Sequence, residues 1–118
     1  MSNRVLTITL QPDWRGALRQ AGARAHARTY RGEVLNFESP GVFFGRLTER
    51  RWELVRNLQE QGEISLRELA RRVHRDVRRV HDDAKILIEL GLIEKGERGG
   101  LVCPYSAVHI DMELRAAA

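Results

Sequence analysis

At 118 residues, 42% apolar and 31% charged, the chain has the material for one modest globular domain helped by a partner, and no apolar run approaches the length of a membrane span. Its single cysteine, Cys103, excludes an intramolecular disulfide, and with no secretory leader read at its start the expected setting is cytoplasmic. The net charge is only +4, yet most of the basic residues are arginine, whose planar fork suits bidentate contacts with phosphate and guanine.

Segment 4–10 alternates Val5, Thr7 and Thr9 with Leu6, Ile8 and Leu10, the period of a strand. Segment 12–28 sets Trp14, Leu18, Ala21 and Ala25 along one side of a helix with Arg15, Arg19, Arg24 and Arg28 outside it, although Gly16 and Gly22 count against that helix. Its continuation, 20–31, is rich in Ala, Gly and Arg and reads equally as a basic arm that contacts phosphates or orders on a partner. Ser39 is placed to cap a short helix begun by Pro40, with Phe43 and Phe44 expected to dock it against the segments that follow. The stretch 47–58 predicts a helix capped by Thr48 and closed near Gly62, with Trp52, Val55 and Leu58 packed inward.

The next segments are the most explicit. Ser65-Leu66-Arg67-Glu68 has the form of a capping box, opening a helix through Val73 whose buried face is Leu66, Leu69, Ala70 and Val73. After a break at His74-Arg75, Asp76 caps a second helix over 76–90, with Val77, Val80, Ala84, Leu87 and Ile88 on one face. Arg78, Arg79 and Asp82 project away from that face, with His81 and Lys85 on its flanks. Gly91 is a left-handed stop, and 92–94 and 101–103 read as short strands joined by Lys95-Gly96-Glu97-Arg98-Gly99-Gly100, with Arg98 at the tip. Finally Val108, Ile110 and Met112 alternate with His109, Asp111 and Glu113 as a last strand, which needs the first strand or a second copy as its partner.

Helix, tight turn, second helix and glycine-tipped hairpin make a winged helix-turn-helix, so the expected fold is α+β. Residues 39–105 form this part, 1–38 an extra strand with a helix or arm that contacts a dimer mate or partner, and 106–118 a closing strand and tail. Between 65 and 81, Arg67, Arg71, Arg72, Arg75, Arg78 and Arg79 face only Glu68 and Asp76, a local charge of +4 that leaves the rest of the chain near zero. That concentration in this register points to double-stranded DNA. Arg78 and Arg79 are the expected base readers, and Arg67, Arg71, Arg72 and Arg75 the phosphate clamps. Arg98 is expected to probe the minor groove, with His81, Asp82 and Lys85 completing the surface.

Several of these residues also carry a family resemblance. Leu47-Thr48 with Arg51, Ser65-Leu66-Arg67-Glu68-Leu69-Ala70, Arg75-Asp76-Val77, Val80-His81, Leu90-Gly91-Leu92-Ile93-Glu94 and Pro104-Tyr105 together make 37–114 resemble a prokaryotic family of predicted winged-helix transcriptional regulators related to the MarR and ArsR groups. The resemblance implies an autoregulating repressor, often the antitoxin of a toxin-antitoxin pair, with a cognate toxin held outside the reading helices. The expected DNA-bound state is a homodimer. Two positions depart from the pattern. His74 stands where glycine is common in the turn, and Asp82 lies on the groove side, either accepting from cytosine N4 or paired along the helix with Arg78 or Arg79.

Other functions find less support. There is no phosphate-cradling glycine loop, zincin signature or cysteine pair, so no catalytic residue, metal or cofactor is assigned and the chain is not read as an enzyme. Arg75 and His81 share the Arg-x5-His spacing of some HEPN-type ribonucleases, a signal of two residues and a gap. Cys103, His26, His74, His81 and His109 are scattered, against a metal-sensing site. The alternatives are a ligand- or metal-responsive MarR/ArsR-like repressor and a winged-helix docking module whose arginine face meets an acidic protein.

Overall fold

The computed structural model describes residues 4–10, 33–114 and 116. In chain order these form β1 (Val5–Leu10), β2 (Glu33–Phe37), α1 (Pro40–Arg46), α2 (Glu49–Leu58), α3 (Leu66–Val73), α4 (Val77–Leu90), β3 (Glu94–Lys95), β4 (Leu101–Val102) and β5 (Ala107–Asp111). This is an α+β arrangement, with four helices and two sheets among the described residues. The chain divides into two units, one containing Arg46–Ser106 and the other Arg4–Gly45 with Ala107–Ala118. The helix or arm expected over 12–28 and 20–31 lies outside the described residues. None of the described helices is long and apolar enough to cross a membrane.

A three-stranded sheet ordered β2-β1-β5 organises the second unit, and both of its pairings are parallel. The first and last strands pair with each other, in the register Ile8↔Ile110. β2 is an additional strand that the sequence reading does not contain. Parallel pairing with β1 requires a crossover of about a dozen residues or more, a length that 11–32 supplies. As the central strand, β1 is buried on both faces, with Leu6 and Ile8 on one and Thr7 and Thr9 on the other. Thr9 Oγ1 donates to Asn36 Oδ1 at 2.8 Å, across a registered pair. In α1, Ser39 Oγ accepts from the Val42 N–H at 3.2 Å, as a cap should. Phe43 is buried with its ring edge-on to Phe37, centroids 5.4 Å apart. Phe44, expected to dock beside it, is 56% exposed, because the next residue on a helix lies 100° further round the axis.

In the Arg46–Ser106 unit, α2, α3 and α4 close around Leu54, Val55, Leu58, Leu69, Ala70, Val80, Ala84 and Leu87. Trp52 is only half buried, and Leu54 takes the central place expected for it. Thr48 holds the N-cap position of α2 but its side chain makes no cap bond, and the helix ends at Leu58, before the positive-φ turns at Glu60 and Gly62. The caps of the next two helices are present. Ser65 Oγ accepts from the Glu68 N–H at 3.1 Å, and Asp76 Oδ2 accepts from Arg78 and Arg79 at 3.1 and 3.4 Å.

Both α3 and α4 end in the same six-residue closure. His74 is left-handed (φ 54°, ψ 47°), with its N–H on Arg71 O and the Arg75 N–H on Ala70 O. Gly91 (φ 86°) repeats this, with its N–H on Ile88 O and the Leu92 N–H on Leu87 O. Leu92 and Ile93 are core rather than strand, so β3 begins at Glu94, two residues later than expected. β3 and β4 pair antiparallel, and Ile64 joins them through reciprocal backbone bonds with Leu101 of 2.9 and 2.8 Å.

Candidate nucleic-acid interface

The apolar stripe of α4 fixes where its polar side chains go. With Val80, Ala84 and Leu87 buried, Arg78, His81, Asp82 and Lys85 fall at i, i+3, i+4 and i+7 on the opposite face, and all four are exposed. Arg79 is exposed beside them. Arg67 on α3, Arg78, Arg79 and Lys85 on α4, and Arg98 on the hairpin are exposed cations without an ion pair among the described residues, as are Arg50 and Arg56 on α2 and Lys95 on β3. Asp82 does not pair along the helix with Arg78 or Arg79; its carboxylate lies 3.7 Å from His81 Nδ1.

Arg71 and Arg72 are exposed but engaged. The Glu68 carboxylate, expected to complete the capping box, instead accepts from Arg71 Nε and Nη2 at 2.9 and 2.5 Å and from Arg72 Nε at 2.9 Å. Hydrogen bonds from Arg71 first, then Arg72, lower its pKa from 4.5 to about 2, so it is ionised at neutral pH and offsets part of their charge.

Arg75 is placed differently from the clamp expected of it. It follows the left-handed His74, and its side chain, 12% exposed, turns into the unit, where Nη2 donates to Asp83 Oδ2 at 2.7 Å. Arg51 Nε reaches the other oxygen of Asp83 at 3.0 Å and its Nη1 donates to Arg46 O at 2.7 Å. Burial pushes the Asp83 carboxyl up, but the hydrogen bonds from Arg75 and Arg51 outweigh it and leave the group below its ordinary value. This bridge ties α2, the turn and α4 together. Arg75 and His81 are not brought into one site, since the first faces Asp83 and the second faces Asp82 and solvent.

Two features are absent from the sequence reading. Asp83 is one, because adjacent aspartates on a helix give no local sign of which points inward. Glu63 is the other, its carboxylate lying under the hairpin tip and accepting from the Arg98 N–H at 3.1 and 2.9 Å and the Gly100 N–H at 2.7 Å. Beside it, a cleft of about 590 Å³ separates α4 from the hairpin, and both lysines of the chain, Lys85 and Lys95, line it with His81.

Residues 46–110, more than half of the chain, match the family model described as HVO_A0114. The chain belongs to the HVO_A0114 family. That match runs through the helices and hairpin of the Arg46–Ser106 unit and on into β5. Comparison with curated proteins and with solved structures gave no match.

Proposed function

We propose that the Arg46–Ser106 unit is a winged helix-turn-helix and that the protein is a sequence-specific DNA-binding repressor. α4 enters the major groove, Arg78 and Arg79 read base edges, Arg67, Arg71 and Arg72 hold phosphates, and Arg98 on the wing reaches the adjacent minor groove or its backbone. The carrying observation is the exposed, unpaired arginine pair opposite the buried Val80, Ala84 and Leu87. Arg75 leaves the contact set and becomes a support of the turn that aims the helix. A homodimer is supported by the placement of exposed apolar side chains. Val5, Val42, Phe44, Ile110 and Leu114 all belong to the sheet unit and none to the helical one. The resemblance of 37–114 to antitoxin-type regulators makes autoregulation beside a toxin gene the biological context of this reading.

Selection of duplexes from a randomised pool by the full chain tests it. The expected result is one enriched motif in two-fold repeats about one helical turn apart. Log affinity should fall linearly with log salt, by about 0.9 per phosphate contact. A pool left unenriched, with binding indifferent to salt, overturns the proposal.

A further inference from the structure

The hairpin carrying Arg98 has strands of only two residues each, too little to hold its own geometry in water. Two consecutive residues before α3 hold it, and the next one caps that helix. Glu63 takes the tip N–H groups of Arg98 and Gly100, Ile64 pairs with Leu101, and Ser65 caps α3. The hairpin and the start of α3 therefore share one short rigid segment. Space is cut to fit this carboxylate. A Cβ at Gly96 would overlap the Glu63 side chain, and one at Gly100 would lie 2.7 Å from Ile64 O.

We infer that Glu63 is the positioning residue for Arg98 on DNA, an inference that rests on the DNA-binding reading. Both carboxylate oxygens face N–H donors, so the group acts as a pure acceptor fixing the tip, while the Arg98 guanidinium stays unpaired and directed to solvent. The sign of the effect separates this role from simple electrostatics. Deleting a negative charge beside a polyanion strengthens binding, whereas losing a positioning group weakens it. Glu63→Gln is the sharp substitution, because it keeps the size but, whichever way the amide is turned, sets its N–H2 against the Arg98 N–H that both carboxylate oxygens now accept.

Full-length parent, Glu63→Gln, Arg98→Ala and the double variant are compared on the duplex selected by the parent, with amide exchange of the free proteins as a second readout. Glu63→Gln should bind about five- to tenfold more weakly, with faster exchange at Arg98 and Gly100 and unchanged exchange in α4. The double variant should bind no more weakly than Arg98→Ala alone, and the salt slope should fall by about 1 in all three. Glu63→Asp, which keeps the charge but falls short of the tip, should behave like Glu63→Gln and serves in its place should that variant not fold. Affinity equal to or above the parent, or independent losses that multiply in the double variant, overturns the inference. A parent that binds no duplex overturns the DNA-binding reading as well, whereas a parent that binds with an unaffected Glu63→Gln overturns this inference alone.

Discussion

Arg75 and Arg78 flank one helix start, yet the first is drawn into the protein and the second stands in solvent. Their difference is positional. Arg75 follows a left-handed helix stop, the place Leu92 occupies after Gly91, and Leu92 is wholly buried. The residue after such a stop frequently makes an inward contact. At Leu92 the result is core; at Arg75 it is a semi-buried charge that requires Asp83, with Arg51 on the carboxylate's other oxygen. Arg78, inside α4, obeys the helix period and faces outward. One arginine sets the geometry of the turn and the other is free to use it.

Removing the inner partner should have the largest effect. Asp83→Asn leaves Arg51 and Arg75 without a counter-charge, and Nε and Nη1 of Arg75 are already buried without a hydrogen-bond partner, so a loss of about 3 kcal/mol is expected from the denaturation midpoint at unchanged slope. A loss below about 1 kcal/mol would mean that the bridge does not organise the turn. The same pair has a pH signature. With its folded pKa depressed, Asp83 contributes stability fully above its ordinary value of 3.8, and that contribution drains away as pH falls below it. Asp83→Asn should flatten this acid limb.

On the outer face, Arg78→Ala should cost about 1–3 kcal/mol on the selected duplex and little on a scrambled one. Arg71→Ala should weaken both alike and lower the salt slope by about 1. Identical behaviour of the two variants in anisotropy titrations would erase the distinction between base readers and clamps. At the turn itself, His74→Gly should stabilise the protein by about 1 kcal/mol in thermal melts, because glycine adopts the left-handed conformation without a Cβ penalty. The smallest effect belongs to Glu68. The stability that its bonds to Arg71 and Arg72 contribute is complete above pH 4.5 and is lost as pH falls toward about 2, so Glu68→Gln should differ from the parent only slightly, and that difference should vanish across this window.

What the sequence disclosed was local chemistry. Ser65, Asp76 and Gly91 act within a turn of themselves, and the caps and helix ends they predict are where the structure has them. β2 was hidden because its pairing with β1 is parallel and spans a long crossover, so no hairpin turn marks it. Glu63 was hidden for the same reason at smaller scale, since its partners Arg98 and Gly100 are distant in the chain. Arg75 is the instructive failure. Its charge placed it with Arg67, Arg71 and Arg72, whereas the left-handed stop at His74 and the acceptor at Asp83, eight residues on, turn it inward.

The division between inner and outer arginines is tested most directly by following the arginine Nε–Hε resonances of the labelled protein during titration with the selected duplex. The account predicts that Arg78 and Arg79 shift and saturate with the DNA while Arg75 and Arg51 hold still on Asp83. Movement of Arg75 with Arg78 and Arg79 unperturbed would contradict it.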